Sequence, residues 1–173
     1  MNRENFNPTP EQKEKILDAV FYEIEQLLFA CSYKSDNNNI NNALLESTMI
    51  HVRALLDFFE KPERSTRRVG NQKVELDDVL ATDFNFYTRD IQIQPQDRER
   101  LNKDLAHLTY SRVDRSQEDK RWAYQSVVFP VLERSKEFLE VLLSNWIQED
   151  DVNSIGFCRN LIIGIDKRLH MII

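Results

Sequence analysis

The chain has 173 residues, a net charge of −6 and a hydrophobic content of 41%, with ten Phe and only three Gly. A chain of this length buries roughly 70% of its unfolded surface, so it needs no disulfide or metal staple. Three glycines cannot supply the positive-φ turns of a hairpin-rich sheet, and the acidic balance argues against non-specific coating of nucleic acid.

The two cysteines, Cys31 and Cys158, lie far apart, match no metal-ligand spacing and read as buried, reduced thiols. The N-terminal stretch has no apolar core of a signal peptide, and no apolar run approaches the ~20 residues of a membrane span. A cytoplasmic protein is therefore expected, without membrane, cofactor or metal.

In chain order, Thr9-Pro10-Glu11-Gln12 reads as a capped helix start, and Ile16, Val20, Ile24, Leu27 and Leu28 recur at helical spacing. The polar run from Ser35 to Asn39 ends that helix region. A second helix is predicted from about Ile40 to Glu60, with the seam Leu45, Met49, Val52, Leu56 and Phe59. Its polar stripe is Glu46, Ile50, Arg53 and Asp57, where Arg53 and Asp57 stand one turn apart and can pair. The charged run Pro62 to Lys73 reads as an exposed loop, and Asp77 to Ala81 as a short helix with acids at its N-terminus. Phe84 to Tyr87 is an aromatic segment suited to pinning helices together or, as the alternative, to forming part of a binding surface.

A further helix is predicted from Pro95 through Arg112. Ser116 to Asp119 resembles a capping box that opens a long final helix toward Trp146, kinked or split at Pro130. Beyond Asp150 the pattern is less regular and suggests one short helix interrupted at Gly164. The expected fold is all-α: one domain over residues 1–173, an up-and-down bundle of four to five main helices with a less regular extension from about residue 150.

The chemistry-bearing stretch is Arg98 to Arg112. On a helix, Leu101, Leu105 and Leu108 form an apolar face able to pack against the Leu45–Phe59 seam. Arg100, Asp104, His107 and Ser111 form a stripe beside it, with Arg100 and His107 about 10 Å apart along the axis. Asp104 can pair with Arg100 or accept from His107. A metal site from His51 and His107 with Asp57 or Asp104 is weaker, because no His-x(3)-His pair exists. His170 reads as part of a solvated basic tail.

The Arg100-x(6)-His107 spacing resembles the Arg-x(4–6)-His motif of the HEPN superfamily of small helical bundles. Ile50 to Phe59 resembles the second helix of such proteins, which carries a polar residue facing the motif. The likeness covers about residues 43–146. It departs from the family pattern in that Asn102, rather than the residue directly after Arg100, supplies the neighbouring amide. Members include metal-independent endoribonucleases, toxins paired with antitoxins, and non-catalytic binders, many of them dimers. The resemblance implies His107 as general acid or base on RNA and Arg100 as holder of the scissile phosphate. Lys103 and Arg112 would guide the backbone, with Asn102, Asp104 and Arg53 as further binding residues, in a homodimer with a toxin or phage-defence role. The competing expectation is a non-catalytic helical interaction module in which Arg53, Arg100 and His107 knit the bundle and the partner is a protein or nucleotide.

Overall fold

Thr9 begins the first helix as its sequence requires. Its Oγ1 accepts from the Gln12 amide at 3.2 Å, and Gln12 Oε1 accepts from the Thr9 amide at 2.9 Å, closing a capping box. Helix α1 (Pro10–Ser32) follows in the computed structural model, which describes residues 6–69, 72–103, 105 and 122–171. Asn37 then caps α2 (Asn38–Glu60), its side chain accepting from the Asn39 amide at 2.9 Å.

Two departures from expectation follow. The charged stretch after Pro62 holds a two-stranded antiparallel hairpin, β1 (Thr66–Val69) and β2 (Gln72–Glu75), with Thr66 opposite Glu75 and Val69 opposite Gln72. Charge density hid these strands, although Gly70-Asn71 is a two-residue hairpin signal in the sequence. The expected helix at Asp77 to Ala81 is displaced: a 3₁₀ turn forms instead at Ala81–Phe84. The carboxylate that captures a free amide is Asp83, which accepts from the Leu80 amide at 3.0 Å. Asp78 instead lies 3.8 Å from Lys61 Nζ.

Helix α3 (Pro95–Lys103) begins where predicted; its expected continuation to Arg112 and the capping box at Ser116 lie outside the described residues. Pro130 splits the next run into α4 (Tyr124–Val127) and α5 (Phe129–Asn145), sitting in the first turn of α5 where its missing N–H breaks no bond. The last helix, α6 (Val152–His170), overturns the expectation of a short, interrupted, less regular end. It runs unbroken through Gly164, where the Leu28 side chain of α1 approaches so closely that an added Cβ would stand 2.7 Å from Leu28 Cδ2.

The fold is all-α apart from the small hairpin. Helices α1, α2, α5 and α6 close a ring of four neighbours, each packed on the next in the order α1–α2–α5–α6, and α3 docks on α2. The centre holds Ile24, Leu27, Met49, Val52, Phe59, Leu132, Phe138 and Leu139, all with no exposed surface except for traces. The aromatic segment joins it: Phe84 and Phe86 meet Phe138 edge-to-face at 5.7 and 5.3 Å, and Trp146 Nε1 donates to the Phe84 carbonyl at 2.7 Å. Asn85 takes the left-handed conformation, φ 58°, that lets both rings turn inward. Among the described residues no helix is long and apolar enough to cross a membrane.

Candidate functional site

The stripe singled out by the sequence begins on α3. Asp97 occupies the first turn, where a carboxylate suits the positive end of the helix dipole. Arg98 leaves the helix toward α2, with both terminal nitrogens on the Glu60 carboxylate at 2.7 and 2.5 Å. Glu60 also accepts from the Ile91 amide, and Arg98 donates to the Ile91 carbonyl. This bidentate pairing raises the Arg98 pKa above its usual value, chiefly through the hydrogen bonds that Arg98 donates to Glu60 and against the opposing effect of burial. Three groups are thus fastened at one joint.

Arg100 points inward. Its Nη1 lies 3.3 Å from Asp97 Oδ1, and its guanidinium stacks 3.9 Å from the centroid of Trp122. Both Arg100 and Asp97 side chains are only 11% exposed. Leu101, one residue on, is buried in the core, and Leu105 packs against its edge, as the apolar face predicts. Asn102 and Lys103 are exposed, and Lys103 pairs with Glu99 at 2.6 Å across one turn. Arg53 stands on the exposed face of α2 with Glu46, Ile50 and Asp57, and Asp57 is bridged by Lys61 at 3.3 Å. Asp104, His107 and Arg112 lie outside the described residues, so Arg100, Asn102 and Lys103 are the members that the structure places on one helix.

Neither Asp97 nor Trp122 was read from the sequence as a partner of Arg100. Asp97 precedes it by one turn and could have been found from that spacing. Trp122 lies 22 residues on and carried no signal. His51 was also read apart from its partner: its Nδ1 lies 2.7 Å from Glu23 Oε2 on α1, and its ring meets Tyr22 edge-on at 6.0 Å. Among the described residues no group of three His, Cys, Asp or Glu is placed to hold a metal ion.

Elsewhere, a cavity of about 280 Å³ lies under Phe6, bounded by Lys13, Asp78 and the Arg64–Asp83 ion pair at 2.6 Å. A larger apolar groove of about 570 Å³ runs between the C-terminal halves of α1 and α6. Comparison with family models, curated proteins and solved structures gives no match.

Proposed function

We propose that the chain is a non-catalytic helical interaction module of HEPN-like pattern that binds protein and works in the cytoplasm as a homodimer. The observation that supports this reading is the position of Arg100. An arginine that holds a scissile phosphate must present its fork to the ligand. The Arg100 fork instead meets Asp97, and its guanidinium sits over the Trp122 ring, with 11% of the side chain exposed. Asp97 would compete with any phosphate for the same guanidinium, and leaving Trp122 would give up a cation–π contact of about 1 kcal/mol. Arg100 therefore serves to fasten α3.

A second reading is a HEPN-like protein that binds RNA or cleaves it without a metal, in a toxin or phage-defence role. It is favoured by the Arg100-x(6)-His107 spacing, with Asn102 and Lys103 exposed on the same helix. There His107 would carry the proton and Arg112 would guide the strand. Incubation of mixed RNA with the wild-type chain, His107→Ala and Arg100→Lys in the presence of a chelator separates the two. Non-catalytic binding predicts no cleavage by any of the three. Cleavage by the wild type that disappears in His107→Ala would overturn it.

A further inference from the structure

The cavity under Phe6 has no part in the reading above. It lies between the first turns of α1 and the stretch Asp77 to Val79 that leads from the hairpin to the 3₁₀ turn, and it encloses about 280 Å³. A sphere of that volume is about 8 Å across, near the lower end of the roughly 300–1,000 Å³ range of small-molecule sites. At ~30 Å³ per water it has room for about nine waters, the bulk of one amino acid. Its apolar wall is formed by Phe6, Pro8, Ile16 and Val79.

The polar wall carries both signs of charge, and neither is fully used. The Arg64 side chain is only 12% exposed, and its Nη2 donates to both Asp83 oxygens at 2.7 and 2.6 Å. One nitrogen thus serves both acceptors, and Nη1 and the buried Nε have no acceptor among the described residues. A guanidinium has five N–H donors, so this one keeps donors to spare. Lys13, half-buried on α1, has no carboxylate partner among the described residues; its Nζ stands 6.0 Å from the Trp146 ring centroid. The negative group is Asp78, also half-buried, whose Oδ2 lies 3.8 Å from Lys61 Nζ, beyond hydrogen-bond reach.

These walls select among ligands. A lone anion would meet the Asp78 charge, and a phosphate would meet Asp77 and Asp83 as well. A lone amine would leave Arg64 and Lys13 without a counter-charge. The terminal charges of an extended tripeptide stand about 10 Å apart, farther than the cavity is wide. A molecule with both charges on one carbon and an apolar side chain matches every wall at once. We propose that this cavity binds a free apolar α-amino acid. Its carboxylate takes the spare donors of Arg64 and Lys13, its ammonium takes Asp78, and its side chain packs on Ile16 and Val79. The Phe6 ring, centred 5.1 Å from Arg64 Cζ, shields the guanidinium from water and strengthens its bonds to the ligand. No residue of α3 lines the cavity, so this site goes beyond the interaction-module reading and does not rest on it.

Calorimetric titration of the whole chain with L-leucine, N-acetyl-leucine and leucinamide tests the site. Leucine is expected to bind saturably, with a dissociation constant in the millimolar range or below. Each derivative lacks one of the two charges and should bind about tenfold more weakly, the scale of one hydrogen bond to a charged group. Asp78→Asn should weaken leucine by the same factor and leave N-acetyl-leucine, which has no ammonium, unchanged. Lys13→Met should weaken leucine and leave leucinamide, which has no carboxylate, unchanged. Arg64 stays intact in both variants, because its pair with Asp83 supports the fold. No saturable binding of leucine, valine or phenylalanine overturns the site, as does equal binding of leucine and its two derivatives. Variants that weaken all three ligands alike would also overturn it, since loss of fold rather than loss of a charge partner then explains them.

Discussion

Arg134 has no exposed surface, although arginine is among the residues least often buried. Its position on α5 is made tolerable by neighbours that neutralise and surround it. Nη1 donates to Glu137 at 2.6 Å, Nη2 donates to the Tyr87 carbonyl, and the guanidinium lies 4.0 and 4.3 Å from the Phe86 and Tyr87 rings. Truncation would leave the Tyr87 carbonyl without this donor and open a cavity beneath the aromatic segment. Arg134→Ala is therefore expected to lower stability by about 3 kcal/mol, and Arg134→Met by less, because its stem fills the same space. Urea unfolding decides it: wild-type stability in the alanine variant would show that the segment holds by ring packing alone. Cys158 is a second residue whose burial has a measurable consequence. Desolvation first, and the Asp151 charge second, push its thiol up to about 11 from an ordinary 9.0. The unfolded chain thus releases this proton first. The stability contribution of the neutral thiol is complete below pH 9 and fades as pH rises toward 11. Between those values the urea midpoint of the wild type should fall more steeply than that of Cys158→Ala; parallel curves would remove the thiol from the account.

At the scale of elements, the two helical glycines of α6 offer a matched pair. Glycine inside a helix is less favourable than alanine by roughly 0.5–1 kcal/mol. At Gly156 an added Cβ meets nothing within 4 Å, so Gly156→Ala should stabilise by that amount. At Gly164 the same atom would stand 2.7 Å from Leu28 Cδ2, so the propensity gain is spent on moving Leu28 and the net change should be smaller. Equal gains in thermal midpoint would mean that the α1–α6 contact is looser than the geometry states. The same pair shows what the sequence conceals. The first two helices are legible because their caps and apolar spacing are local: Thr9 and Gln12 stand one turn apart, and each seam residue from Leu45 to Phe59 stands about one turn from the next. Gly164 reads locally as a breaker, because the Leu28 side chain that makes a Cβ-less position useful is far away in the chain. The groove between α1 and α6 was not legible, because Leu28 and Phe157 become neighbours only after folding. Arg100 could be singled out by spacing, but its inward turn depends on Trp122, beyond the reach of any helical period.

At the scale of the whole molecule, the bundle has to fasten the long segment that leaves α2 at Lys61 and returns at α3. Apolar packing holds α1, α2, α5 and α6 together without that segment, whereas α3 contributes only one buried apolar side chain, Leu101. The joint at Glu60 compensates. One carboxylate at the end of α2 receives the Ile91 amide and both terminal nitrogens of Arg98, so it ties the incoming chain and the first turn of α3 to the bundle at one point. Its side chain is only 16% exposed, which limits replacement of these bonds by water. Glu60→Gln keeps the shape but turns one acceptor oxygen into an NH₂ donor facing the Arg98 donors. The expected loss is about 2 kcal/mol, the scale of hydrogen bonds to a charged group. It should appear locally: faster hydrogen exchange at the Ile91 amide, with the far-ultraviolet helical signal and the exchange of α1 and α2 core amides unchanged. Unchanged protection at Ile91 would mean that the segment is held by Ile91, Ile93 and Leu101 in the core rather than by the joint. Uniformly faster exchange through all four long helices would mean that the joint supports the bundle itself.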